Sequence, residues 1–182
     1  MKDINEKNRA AVAEDMSNKV ECVLTLASKK GWSYEDINTV AAKMVAGILS
    51  TNFSTQEYLD KAIDVFDGAV RDCYEQYIEF AQQKMWDLME ETYLLFSKTK
   101  HVFDDETLHL AAATLYKTLF DDEALTMKYF VGCTTLIISQ NIVSMHRDNK
   151  EAASETISKV IEEIRVNVSK YFKRKNPYEN KE

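Results

Sequence analysis

The stretch KKGWSYED, Lys29 to Asp36, ends one helix and opens another within a few residues. Lys29 and Lys30 suit the carbonyl end of a helix, where the dipole is negative, and Gly31 supplies the left-handed conformation that stops it. Ser33 then offers a side-chain oxygen to an unpaired backbone N–H, and Glu35 and Asp36 fall in the first turn, where negative charge is favoured. Working outward, Val12, Met16, Val20, Val23, Leu24 and Ala27 recur at helical steps and predict a helix from about Asn5 to Lys30. On the other side, Ile37, Val40, Ala41, Met44, Val45 and Ile48 mark one face of a second helix.

The same grammar continues along the chain. Ser54-Thr55-Gln56-Glu57 is a capping box opening a helix with Leu59, Ile63, Phe66, Val70, Cys73, Tyr77 and Phe80, then Met85, Leu88, Thr92 and Leu95. As one rod that segment would reach roughly 60 Å at 1.5 Å per residue, too long for a domain of this size, so a bend is expected near Gly68 or Gln82-Gln83. FDDETL (Phe103–Leu108) and FDDEAL (Phe120–Leu125) read as two helix starts. In each, aspartate caps the helix, acids fill its first turn, and Phe and Leu sit at staple positions. The segment from Glu123 to about His146 is apolar on all sides, which predicts a central helix. The last helix, starting near Asn149, carries Ile157, Ile161, Ile164, Val168 and Tyr171 as a 4-3-4-3 seam, with a basic finish at Lys170, Lys173, Arg174 and Lys175.

Four glycines and one proline in 182 residues are too few for sheets or long loops. The fold class is therefore all-α: a single-domain bundle of six to seven helices over residues 1–175, the last two forming a hairpin, with a polar tail at 176–182. The polar start MKDINEKNR has no leader character, and the apolar run Tyr129–Ile138 is too short to span a bilayer. Three scattered cysteines, Cys22, Cys73 and Cys133, indicate reduced thiols and a cytoplasmic setting, with no membrane partner. A formal charge of −7 disfavours nucleic acid.

No catalytic residue, metal site or cofactor is expected. Glu106 and His109 have the E-x-x-H spacing of di-iron bundles, but neither His101 nor His146 repeats it on a second helix. A metal held by FDDETL would need another carboxylate one turn on, and Leu108 and Leu125 stand there. No phosphate loop or nucleophile motif is present. Glu75/Glu79 and Asp87/Glu90/Glu91 share helix faces as solvated charge. The aromatics Tyr58, Phe66, Tyr74, Tyr77, Phe80, Trp86, Tyr93 and Phe96 read as core, with a small-molecule cavity as the other reading.

Gly47, Leu49, Phe53, Glu57 and Leu59, with Lys30-Gly31-Trp32 before them, stand at offsets that resemble the DNA-binding region of TetR-type transcription regulators. The resemblance implies an N-terminal helix-turn-helix, DNA contacts at Lys43, Ser50, Thr51 and Asn52, and an effector cavity further on. The sequence departs from that pattern at Ala41–Val45, which has no turn residue, and in its scarcity of basic residues, Lys43 alone between Lys30 and Lys61. The leading expectation is instead a non-enzymatic protein acting through protein contacts, as adaptor, inhibitor or regulatory module. Its partner would be another protein or a second copy of itself, a homodimer through Ile157, Ile161, Ile164, Val168 and Tyr171, with closure of the chain's own core by that seam as the equal rival reading. The regulator is the alternative.

Overall fold

The computed structural model describes residues 2–84, 100, 103–120, 127–147 and 149–175. Its described elements are α1 (Lys2–Lys30), α2 (Tyr34–Asn52), α3 (Gln56–Lys84), α4 (Asp105–Leu119), α5 (Met127–His146) and α6 (Lys150–Lys175), and there is no strand among the described residues. The architecture is an all-helical bundle, as the punctuation of the sequence predicts.

The first corner forms as its residues dictate. Gly31 takes φ of 69°, the left-handed region, and the Trp32 N–H donates to Ala27 O at 3.0 Å, closing α1. Ser33 Oγ accepts from the Asp36 N–H at 3.1 Å while Asp36 Oδ2 accepts from the Ser33 N–H at 2.8 Å, a reciprocal capping box that is wholly buried. Asp104 caps α4 by accepting the Thr107 N–H at 2.7 Å, and Asn149 caps α6 through the Ala152 N–H at 3.1 Å. Between α5 and α6, Arg147 takes the left-handed role with φ of 53°.

Two helices occupy the interior. α5 buries Phe130, Cys133, Ile137, Ile138, Ile142 and Val143 against α3, α2, α1 and α6. α2 is the second, lying most extensively along α6 and also against α5 and α4. A one-faced stripe describes it incompletely, because Asp36, Asn38, Lys43 and Ser50 on its polar positions are buried too. Each of these has a hydrogen-bond partner. Asn141 Nδ2 of α5, for example, donates to Asn38 Oδ1 at 2.7 Å and to Tyr34 O at 2.9 Å, tying the two central helices together.

The structure bears on three further expectations. α3 passes through Gly68 and Gln82-Gln83 without a break, and the positions from Met85 to Leu95 lie outside the described residues, as do Asp121–Leu125, His101 and the tail at 176–182. α5 and α6 lie side by side as the expected hairpin, and α6 also runs along α2. The seam on α6 is the third case. Ile157, Ile161, Ile164 and Val168 are buried and Tyr171 is half-buried within this single chain, covered by α2 and α3. A coiled-coil-like period says only that a stripe must be covered, and here the chain covers it itself. Salt bridges clamp the same face, with Arg165 to Asp64 at 2.6 Å and Lys150 to Glu75 at 2.7 Å. Being exposed, each adds about 0–1 kcal/mol, so the apolar seam is the larger effect.

No helix among the described residues is long and apolar enough to cross a membrane. The burial of Ile164, with none of its surface exposed, sets a test. Ile164→Ala should lower unfolding stability by about 2–5 kcal/mol in urea. Ile164→Asp should abolish the cooperative transition altogether. A folded Ile164→Asp protein with wild-type helicity by circular dichroism would show that the seam faces outward.

Candidate functional site

Where α2, α4 and α6 converge, side chains shrink and the helices leave a cleft of about 310 Å³. Gly47 on α2 and Ala112 and Ala113 on α4 line it, together with Met44, Ile48 and Tyr116. A Cβ added at Gly47 would meet no atom within 4 Å, so the glycine opens space rather than accommodating a close approach. Lys43, Met44 and Ala112 form a buried floor; Thr51, His109 and Ala113 form an exposed rim, and Tyr171 of α6 closes one side.

The polar residues of the lining include Lys43, Thr51, His109 and Tyr171, and Asp105 stands outside it as the partner of Lys43. Lys43 Nζ donates to Asp105 Oδ1 at 2.6 Å. The two partners are placed unequally: the Lys43 side chain is 2% exposed and that of Asp105 is 75% exposed. Tyr171 Oη lies 2.9 Å from His109 Nδ1, and their rings meet at 5.8 Å between centroids. Behind the floor, the Thr39 hydroxyl donates to Glu163 Oε2 at 3.0 Å, joining α2 to α6.

Two carboxyls in this cluster are shifted in opposite directions. The hydrogen bond from Lys43 holds Asp105 below the ordinary aspartate range, against a smaller opposing effect of burial, with the charges of Lys43, Lys170 and His109 adding to the lowering. Burial pushes Glu163 above the ordinary glutamate range, although the Thr39 hydroxyl and the charge of Lys43 oppose it. Elsewhere burial raises the thiols of Cys73 and Cys133, the latter to about 11, which makes them poor nucleophiles.

The sequence-predicted site residues are scattered. Lys43 belongs to the cleft floor and Ser50 is buried with its hydroxyl donating to Ala46 O at 2.7 Å. Thr51 and Asn52 are exposed, but both side chains donate back to Ile48 O. Moreover, α2 runs unbroken from Tyr34 to Asn52, with Ala41–Val45 inside it, so this segment holds no turn between two helices. As a set of phosphate or base contacts the four are not presented together, because the lysine is inside the fold. Of the proposed interface residues only Tyr171 reaches the cleft; the other four are core. His109 of the E-x-x-H spacing stands on the rim beside a tyrosine, and no group of three or more His, Cys, Asp or Glu among the described residues is placed to hold a metal ion. Gly47 and the run Ala111-Ala112-Ala113 were the available signal for the cleft, as small residues on facing helices.

Three further depressions among the described residues are lined by one helix each, Glu151–Lys159 and Glu162–Lys170 on α6 and Asn18–Lys29 on α1, and would touch a guest from one side. In comparisons with known proteins, the chain matches no family model, no curated protein and no solved structure.

The opposed carboxyls predict opposed pH responses. Asp105 contributes stability above its ordinary range that is lost as pH falls through its lowered folded value; Glu163 contributes stability in acid that is lost as pH rises past the ordinary glutamate range. Asp105→Asn should therefore lower the thermal midpoint at neutral pH, and Glu163→Gln should raise it, both differences fading in acid. Midpoints that track the wild type in parallel from acid to neutral pH would contradict this assignment.

Proposed function

We propose that this chain is a non-catalytic binding protein whose ligand site is the cleft between α2, α4 and α6. The observation that carries the reading is the cleft itself: three helices border about 310 Å³ with largely apolar walls, a buried lysine in the floor and a few other polar groups. Small-molecule sites occupy roughly 300–1,000 Å³ and have this mixture of apolar wall and sparse polar anchors. The raised thiols and the engagement of Lys43 with Asp105 support binding over nucleophilic chemistry. A homodimer through the α6 seam is not part of this reading, since the seam lies in the core.

Gly47 gives a clean test, because a side chain there enters the cleft without meeting other atoms within 4 Å of its Cβ. Gly47→Leu should add roughly 0.5–1 kcal/mol of stability through helix propensity. Nile red, an uncharged apolar dye, should bind the wild type saturably with a fluorescence rise, and Gly47→Leu should lose most of that binding. Equal dye binding by a folded Gly47→Leu protein would reject the cleft as the site.

A further inference from the structure

We infer that the guest of this cleft is a small amphipathic monocarboxylate, and that on binding its carboxylate takes over Lys43 from Asp105. The inference rests on the cleft being the binding site and adds the chemistry of its ligand.

The argument starts from the unequal ion pair. A lysine whose side chain is 2% exposed needs an anion at all times, since an uncompensated buried charge is strongly unfavourable. Its present anion is 75% exposed and therefore held on one side only. If displaced, Asp105 returns to water with little rearrangement, and it remains in the first turn of α4, where the helix dipole favours negative charge. Lys43 has no such freedom. Exchange of one carboxylate for another thus keeps a hydrogen-bonded anion on Lys43, while removal of Asp105 without a substitute takes it away.

The place that Asp105 occupies is also one that favours a carboxylate. Lys43 donates a hydrogen bond there, and Lys170 and His109 add positive field, which together hold Asp105 in its ionised form. A single negative charge suits the surroundings better than two. Glu163 already lies near Lys43, so a phosphate dianion would add its second charge beside another acid. The body of the ligand follows from the walls. Met44, Ile48, Ala112 and Tyr116 offer apolar contact, and the volume of about 310 Å³ limits that body to a small molecule. The cation in the floor thus fixes the head, and the walls fix the tail.

Octanoate and 1-octanol, which share a chain and differ in the head, separate these contributions. Titration calorimetry on the full chain should show octanoate binding about tenfold or more tightly than octanol, as expected for a charge-assisted hydrogen bond. Lys43→Met should erase that preference while leaving octanol affinity in place. Asp105→Ala, which removes the competing carboxylate, should strengthen octanoate binding several-fold and leave octanol unchanged. This second variant decides the matter if Lys43→Met does not fold. Equal affinity of both probes in the wild type, a preference that survives in Lys43→Met, or no gain for octanoate in Asp105→Ala would each overturn the inference. Should both probes bind equally and both be blocked by Gly47→Leu, the carboxylate specificity falls and the cleft remains. Should neither bind, or should Gly47→Leu block neither, the cleft falls with it.

Discussion

A positive charge has to be kept inside a helix that other helices cover. α2 lies against α6, α5 and α4, and Lys43 sits within that cover. Burying an ammonium is unfavourable unless an anion reaches it. The first turn of α4 supplies that anion, so the position of α4 on α2 is constrained by a 2.6 Å contact as well as by Leu108, Ala112 and Leu115 in the core. The cleft follows from the same arrangement. Lysine takes α4 to α2 at one end, while Gly47, Ala112 and Ala113 keep the facing surfaces low further along, so the helices are held together without filling the space between them.

The interior around this point contains polar groups, several of them paired across elements. Asn141 reaches Asn38 and the backbone of Tyr34, Ser139 donates to Val70 O at 3.1 Å, and Thr39 meets Glu163. Such pairs add little net stability each, but a misplaced helix would leave them unsatisfied, at about 1–3 kcal/mol per buried group. Apolar burial on α5 and α6 supplies the larger driving force. The polar pairs select one register among the packings that apolar stripes alone would allow.

Much of the architecture was legible because its signals are local. Gly31 and Ser33 act on their own backbone neighbours, as do Asp104 and Asn149, so the corners at those positions could be read from a few adjacent letters. The apolar surround of α5 likewise required no partner to interpret. What escaped was the destination of each face. The seam from Ile157 to Val168 has the same spacing whether a second copy or α2 covers it. Lys43 and Ser50 stood among the DNA contacts that the resemblance implies, and their burial depends on Asp105, 62 positions away, and on a hydroxyl turned back to Ala46. The cleft was harder still, since its signal is the shortness of Gly47, Ala112 and Ala113, residues that a helical pattern treats as neutral.

Competitive acetylation of the native chain, with each lysine quantified by mass spectrometry, tests the burial of Lys43 most directly. Lys61 and Lys150, whose side chains are 65% and 60% exposed, provide the internal standard. The account predicts that Lys43 is acetylated far more slowly than both in the folded protein and at a similar rate once urea unfolds it. Acetylation of Lys43 as fast as that of Lys61 under native conditions would mean that the charge is not inside α2's cover, and the cleft built around it would lose its foundation.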